Sequence, residues 1–217
     1  MTTHHPDLST LMSYSAGSLP DAIATVVAAH LSVCSHCRQQ VQEAEQVGIS
    51  LLEELEPAPM SDHAKDDILA LLDEIEQAPV SSREERDVPV DADIPAPFRP
   101  LLGYYLDDLH WRYMAPGLKQ FLLPASGGSN LRLLKIAPGT CMPSHGHTGS
   151  ELTMVLRGSY SDELGRFCAG DVADLDPDVQ HQPVADTGED CICLIATDAP
   201  LRFNGLVPRL LQPFFQL

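Results

Sequence analysis

The sequence predicts an α+β chain of two domains, in which a four-helix N-terminal domain precedes a β-barrel. The first supporting observation is the helical periodicity of apolar residues before residue 78, and the second is a group of five prolines between residues 79 and 100. The third is a series of short apolar runs after residue 101, separated by Gly and Pro at short intervals. These observations divide the chain into residues 1–78, 79–100 and 101–217.

Acidic residues are concentrated in the first half of the chain. The 217 residues carry a formal net charge of −18, and 44% of them are hydrophobic, so the chain can bury a core. Residues 1–97 hold 18 acidic and 4 basic side chains, whereas residues 98–217 hold 13 and 9. This balance argues against direct binding to nucleic acid or an anionic membrane. It favours a basic protein partner for the N-terminal half.

Nothing in the sequence suggests export or a membrane. No stretch approaches the ~20 apolar residues of a membrane span, and the N-terminus lacks a signal peptide. We therefore expect a cytoplasmic protein. In a reducing compartment, the six cysteines should be thiols or metal ligands rather than disulfides.

Apolar spacing predicts four helices before residue 78. The first covers residues 7–17 and ends at Gly17, and the second begins near Pro20. The third covers residues 41–55, with acids opposite its apolar side. The fourth follows Ser61 and carries more apolar residues than one amphipathic face needs, which suits either packing in a helical unit or a partner.

The second predicted helix leads into a candidate zinc motif. His30, Cys34 and Cys37 have the pattern H-x3-C-x2-C, which is typical of tetrahedral zinc sites and requires a fourth ligand. His5 is our choice for that ligand, and His4 and His36 are the alternatives. Residues 79–100 follow as an extended, semi-rigid linker because of their prolines and charges.

Short strands are expected throughout residues 101–217. The clearest are residues 120–123, 131–136, 152–156 and 192–195. Cys191 and Cys193 should share one face of the last of these strands. Vicinal cysteines on one strand rarely form a disulfide without distortion, so we interpret them as buried thiols rather than a redox pair.

A second candidate metal motif lies between Gly139 and Gly158. His145 and His147 are two residues apart and should share a strand face, and Glu151 follows after a short turn. The pattern G-x5-H-x-H-x3-E-x6-G resembles the first metal-binding motif of the cupin superfamily.

The resemblance to cupins continues downstream. The second cupin motif, G-x5-P-x-G-x2-H-x3-N, aligns with Gly170 and reaches His181, although Asp176, Asp178 and Ala185 replace its Pro, Gly and Asn. His145, His147, Glu151 and His181 then form the expected ligand set. Three imidazoles and a carboxylate suit Zn²⁺, Fe²⁺, Mn²⁺ or Ni²⁺.

Both ligand sets together resemble one family. The chain resembles the zinc-binding ChrR family of anti-sigma factors, in which a helical domain precedes a cupin. The resemblance rests on His5, His30, Cys34 and Cys37 ahead of the cupin motifs and on the C-terminal stretch that begins at residue 191. The resemblance implies two zinc sites, the second holding zinc or another divalent metal. It also implies a helical domain that sequesters an extracytoplasmic-function sigma factor as a heterodimer and a cupin that responds to singlet oxygen and related oxidative stress.

An enzyme is the main alternative to this regulator. The same barrel ligands would serve Fe²⁺ in a dioxygenase-like cupin with a helical zinc-binding appendage. Redox-silent zinc in the barrel would argue against that enzyme, whereas bound Fe²⁺ with oxygen consumption would favour it. A third hypothesis is a cupin that binds a small ligand allosterically. The regulator is our preferred interpretation, and it predicts no catalytic residues.

Overall fold

The computed structural model describes residues 2–74, 91–103, 105–176, 179–199 and 201–203. Within these ranges the chain consists of N-terminal helices followed by a β-rich part. The α-helices are α1 (Leu8–Ser15), α2 (Asp21–Val33), α3 (Ser35–Glu53), α4 (Ala64–Glu74) and α5 (Arg99–Leu102), with short 3-10 turns at Ala96–Phe98 and Leu106–Asp108. None of the described helices is long and apolar enough to span a membrane.

Twelve strands follow in the described residues. They are β1 (Arg112–Ala115), β2 (Leu118–Leu123), β3 (Asn130–Ile136), β4 (His145–His147), β5 (Glu151–Arg157), β6 (Ser159–Asp162), β7 (Gly165–Cys168), β8 (Val172–Leu175), β9 (Gln180–His181), β10 (Val184–Ala185), β11 (Cys191–Thr197) and β12 (Leu201–Phe203). All of their pairings are antiparallel.

The predicted α+β architecture is confirmed. A six-stranded sheet has the order β1-β2-β3-β11-β5-β8, and two three-stranded sheets have the orders β10-β6-β7 and β12-β4-β9. Each strand predicted from the sequence lies within one of these strands, and the structure extends it by one to three residues in total. The extension arises because ladder pairing continues beyond the apolar runs, for example through Asn130 and Thr197, which pair with each other at the ends of β3 and β11.

The six-stranded sheet buries both of its faces. Along β11, Ile192 and Leu194 join a core that includes Val26 of α2, whereas Cys191 and Cys193 join the core on the other face. This alternation follows from the two-residue period of a strand. Helix α2 therefore packs directly against the sheet, and the helical region and the barrel share one hydrophobic cluster.

The third helix begins earlier than its apolar pattern predicts. It starts at Ser35 rather than residue 41, because Cys34 is its N-cap and the Cys34 sulfur accepts a hydrogen bond from the Cys37 N–H. A thiol is not among the usual capping side chains, so the sequence pattern does not reveal this start.

The described part of the predicted linker is folded rather than extended. Residues 79–90 lie outside the described residues, but residues 91–100 form a turn, a 3-10 turn and the start of α5. Ile94, Phe98 and Leu102 are buried at four-residue spacing. Pro97 and Pro100 occupy first-turn positions, where the missing N–H is tolerated. The prolines thus start short helices here.

Candidate metal centres

The junction of α2 and α3 brings four predicted ligands together. His30 lies in the last turn of α2, Cys34 connects the two helices, Cys37 lies in the first turn of α3, and His5 comes from the N-terminal segment. His30, Cys34 and Cys37 are buried. We call this group the helical centre.

The donor atoms of the helical centre have the spacing of a tetrahedral zinc site. His5 Nδ1 lies 3.4 Å from both His30 Nε2 and Cys37 Sγ, and 3.5 Å from Cys34 Sγ. His30 Nε2 lies 3.2 Å from Cys37 Sγ. Donors at about 2.0–2.3 Å from one zinc ion are separated by about 3.3–3.8 Å when the geometry is tetrahedral. The residues present therefore fit such an ion.

His5 is the histidine that the structure places in this group. His4 instead points to Asp171, with its Nδ1 3.5 Å from a carboxylate oxygen. The ring of His36 lies 5.1 Å from the His5 ring, and its side chain is exposed. Neither alternative belongs to the cluster of potential ligands in the described residues.

The pKa values of the two thiols in this centre shift in opposite directions. Burial and the adjacent Cys34 sulfur raise the pKa of Cys37 to about 12, so Cys37 needs a neighbouring cation to become a thiolate. Burial also acts to raise the pKa of Cys34. Hydrogen bonds from the Cys37 N–H and the Thr2 hydroxyl outweigh that effect and lower the pKa.

The barrel helps to orient the helical centre. His30 Nδ1 donates a hydrogen bond to the carbonyl oxygen of Gly170 at 2.9 Å, which leaves Nε2 with a lone pair directed at the other donors. Burial lowers the pKa of His30, which also favours the neutral imidazole that binds metals. One carbonyl of the β7–β8 turn therefore fixes a ligand on α2.

Asp171, the residue after Gly170, holds the segment that carries His5. Its buried carboxylate accepts hydrogen bonds from the N–H groups of Thr3 at 2.6 Å, His4 at 3.0 Å and Cys168 at 2.9 Å. The His4 carbonyl accepts a further bond from the Val172 N–H at 3.1 Å. These bonds lower the pKa of Asp171 although burial acts to raise it.

A second group, which we call the barrel centre, consists of His145, Glu151 and His181. They come from β4, β5 and β9, and all three are buried with potential ligand atoms within 4.8 Å of one another. His145 and His181 are direct partners across the β4–β9 pair. The side chain of His147 lies outside the described residues, so its role as a ligand stays a prediction.

Hydrogen bonds direct both described imidazoles toward one point. His145 Nδ1 donates to the Pro143 carbonyl at 2.8 Å, and His181 Nδ1 donates to Asp162 at 2.9 Å. The two Nε2 atoms then face each other at 3.1 Å, each with a lone pair. Two facing lone pairs repel unless they share a cation or a proton, so this donor set also fits a metal ion.

Asp162 is a residue that the sequence analysis missed. It lies at the end of β6, and its other oxygen accepts the Leu164 N–H of the following turn. Burial acts to raise its pKa, but hydrogen bonds from His181 and from the turn lower it. Asp162-x-x-Gly165 is an ordinary turn pattern, so the sequence offered a signal for a turn and none for an orienting carboxylate.

A cavity of about 60 Å³ borders the barrel centre. Its apolar walls include Leu118, Leu134 and Ile136, and the polar side chains that reach it include Arg132 and Tyr160. Cys193 also borders the cavity, and its sulfur lies 3.6 Å from that of Cys191. The hydrogen bond with Cys191 and burial raise the pKa of Cys193. Both cysteines are buried and free of a disulfide in the structure, as expected from their positions on one strand.

The barrel and its facing candidate ligands have the arrangement of a cupin, here joined to a second candidate metal centre in the helical region. The family model of the ChrR cupin-like domain matches residues 103–200. The anti-sigma-E factor ChrR of Cereibacter sphaeroides is 44% identical over 214 residues, which cover 99% of this chain and 98% of that protein. The chain belongs to the ChrR family of anti-sigma factors, as its motifs suggest.

A solved structure agrees over both domains. The crystal structure of Rhodobacter sphaeroides SigE in complex with the anti-sigma ChrR is similar with a TM-score of 0.79 and 40% identity. The match covers 91% of this chain and 100% of that chain. The similarity therefore extends to the arrangement of the helical region on the barrel.

Proposed function

We propose that this chain is a cytoplasmic anti-sigma factor that sequesters an extracytoplasmic-function sigma factor and releases it under singlet oxygen or related oxidative stress. Family membership and the relative crystallised with SigE support this function. Residues 1–78 would bind the sigma factor in a heterodimer, and the cupin would control its release.

The observation that carries this proposal is an exposed apolar surface on α3 and α4. We call it the α3–α4 surface, and its side chains are each 46–72% exposed: Val47, Ile49, Leu51, Leu52, Leu55, Met60, Ile68, Leu69, Leu71 and Leu72. Only Cys37 and Val41 of α3 are buried. So many exposed apolar side chains within one stretch of about 25 residues are typical of a protein interface.

Charge complements this apolar surface. Acidic residues such as Glu53, Asp66 and Asp67 accompany it, and the first 97 residues carry a net charge of −14. A sigma factor binds promoter DNA and core polymerase with surfaces that are partly basic, so an acidic border would speed and orient the encounter. The apolar side chains would then supply most of the affinity.

Co-expression with the sigma factors of the same organism tests this proposal. We expect one of them to co-purify with the full chain and with residues 1–78, and we expect Leu51→Asp together with Leu72→Asp to abolish capture. Leu164→Asp is the matched control, because Leu164 is 51% exposed on the barrel. Capture of a sigma factor only by the full chain, or equal loss with Leu164→Asp, would contradict the proposal.

We also propose that both centres bind zinc, with another divalent metal as the alternative in the barrel. The helical ligands are His5, His30, Cys34 and Cys37, and the barrel ligands are His145, His147, Glu151 and His181. Metal analysis of fresh protein should approach two equivalents. We expect Cys34→Ala to remove one equivalent and His145→Ala to remove the other. A single equivalent that survives His145→Ala but is lost in Cys34→Ala would show that the barrel centre is empty or weak.

A further inference from the structure

The barrel cavity contains a buried hydroxyl that lacks a partner. Tyr160 is 3% exposed, and its OH is the sole buried side-chain N or O atom without a hydrogen bond in the described residues. Burial raises the pKa of Tyr160 far above its ordinary value, so the hydroxyl keeps its proton and is a donor. A buried donor without an acceptor is destabilising and is rare in folded proteins. An acceptor supplied by a ligand would satisfy it.

The charges around the cavity favour an anion. Glu151 and Asp162 each contribute one negative charge, and the guanidinium of Arg132, which is 2% exposed, contributes one positive charge. Imidazoles that bind a metal are neutral, and burial keeps Cys193 a thiol. With a divalent cation in the barrel centre, the net charge is therefore +1. An unbalanced charge in an apolar environment is unfavourable, so a monoanion would stabilise this site.

The walls and size of the cavity restrict that anion. Leu118, Leu134, Ile136, Met142 and Ile195 line the space, so most of a ligand's surface would contact apolar side chains. At about 10–15 Å³ for each water, 60 Å³ has room for about four to six waters or for one compact organic molecule. The group that accepts the Tyr160 hydrogen bond must therefore belong to a small molecule with an apolar body.

We propose that the barrel cavity is a binding site for a small monocarboxylate whose apolar body contacts these walls and whose carboxylate accepts a hydrogen bond from Tyr160. Arg132 and the metal of the barrel centre supply the positive potential that selects a carboxylate over a neutral molecule. This site goes beyond sigma-factor sequestration. It would couple occupancy of the cavity to His145, Glu151 and His181, which border the same space.

Calorimetric titration of the zinc-loaded full chain with two carboxylates and their neutral amides tests the site. The probes are isobutyrate, benzoate, isobutyramide and benzamide at constant ionic strength. We expect saturable binding of at least one carboxylate in the micromolar to millimolar range and at least about tenfold weaker binding of its amide. Equal affinity for acid and amide, or no saturable binding below about 10 mM, would overturn the proposal.

Tyr160→Phe is the sharpest variant because it removes only the hydroxyl. We expect about tenfold or greater loss of carboxylate affinity, as for a hydrogen bond to a charged group, with unchanged zinc content. The ligand-free variant should be at least as stable as the natural chain, since it no longer buries an unpaired donor. Tyr113→Phe, at a tyrosine that is 68% exposed, is the matched control and should change nothing. Unchanged affinity in Tyr160→Phe would refute the site.

These outcomes are independent of the sigma-factor proposal. A chain that binds no sigma factor but distinguishes isobutyrate from isobutyramide through Tyr160 would keep the cavity site and lose the proposed function. A chain that binds a sigma factor but does not distinguish isobutyrate from isobutyramide would support the proposed function and contradict the cavity site.

Discussion

The helical centre and the barrel centre differ in the space around their donor atoms. In the helical centre, the measured distances between donors are 3.2–3.5 Å, and helix ends and the Gly170 carbonyl surround them. The barrel centre instead borders a cavity of about 60 Å³. Closed sites with four protein ligands are typical of structural zinc, whereas sites beside open space can accept an additional ligand. The helical centre therefore has the geometry of a structural site, whereas the barrel centre has room for a small molecule beside it.

The helical centre is nevertheless bonded directly to the barrel. His30 donates to the Gly170 carbonyl, and the neighbouring Asp171 holds the backbone of Thr3 and His4. Asp174, on the same strand β8, accepts bonds from the Asp7 N–H and the Thr10 hydroxyl at the start of α1. A change in the barrel that moved the β7–β8 turn would therefore directly affect His30, a candidate zinc ligand.

The largest effect is expected from removing a ligand of the helical centre. Structural zinc contributes on the order of 10 kcal/mol to the folding of a small domain, so Cys37→Ala should unfold much of α1–α3. Circular dichroism would show the loss of helix, and metal analysis would show the loss of one equivalent. Cys141→Ala is the control, because that thiol is exposed and belongs to neither centre. Retained helicity in Cys37→Ala would show that packing on the sheet suffices without the metal.

A smaller effect is expected from breaking the connection between the centres. Asp171→Ala leaves three backbone N–H donors without their acceptor, which should lower the free energy of unfolding by about 2–4 kcal/mol. Because those donors position the segment with His5, zinc should also leave the helical centre faster when a chelator is added. Asp176→Ala, at an exposed position nearby, should change neither quantity. Loss of stability with an unchanged rate of zinc release would separate Asp171 from the metal.

Arg157 helps to attach residues 91–108 to the barrel, beside the Lys135–Asp107 pair and the buried apolar side chains of this segment. Arg157 binds Asp93, Asp107 at 3.0 Å and Asp91, and its side chain is 19% exposed. Arg157→Met should lower the free energy of unfolding by about 1–2 kcal/mol at pH 7, a value reduced by the solvent exposure of Asp107. Both centres should keep their metal, since Arg157 touches neither.

This ion cluster also predicts a pH dependence. Burial acts to raise the pKa of Asp91, but hydrogen bonds from the Asp93 N–H and from Arg157 lower it, and bonds from Lys135 and Arg157 lower the pKa of Asp107. A carboxyl whose pKa is lower in the folded state stabilises the fold above its unfolded pKa, and this contribution is lost as the pH falls through the folded value. Stability should therefore decrease below about pH 4, and Arg157→Met should flatten that decrease. Parallel curves for the two proteins in chemical denaturation from pH 7 to pH 3 would contradict this assignment.

The sequence predicted the ligands better than it predicted the contacts that orient them. H-x3-C-x2-C and H-x-H-x3-E have spacings that metal chemistry itself imposes, so His30, Cys34, Cys37, His145 and Glu151 could be selected without a fold. The orienting groups act across the fold instead. Gly170 reaches His30 over 140 positions, and Asp162 reaches His181 over 19, and neither has a local pattern.

The conformation of residues 91–100 also depends on contacts that are distant in sequence. Pro95, Pro97 and Pro100 suggested an extended linker, because proline composition alone does not distinguish a spacer from the first turns of short helices. What decides between the two is burial of Ile94 and Phe98 against α2 and the sheet. That contact depends on tertiary packing, which the local sequence does not contain.

The smallest effect on the helical region is expected from Glu151→Gln, which removes the charge of a barrel ligand and keeps its shape. Glu151 lies at the start of β5 on the face opposite the one that packs against α2, so the helices and their metal should remain intact. We expect the variant to lose metal affinity in the barrel by about 100-fold or more, since the change is at the ligand itself rather than at an orienting group. It should capture the sigma factor normally but release it poorly under singlet oxygen. A reporter driven by the sigma factor measures both properties. Its activity should be low without stress and only weakly induced by singlet oxygen. High reporter activity without stress would mean that the barrel centre itself contributes to inhibition, with the Gly170 and Asp171 contacts as the route from the barrel to His30 and to the segment that carries His5.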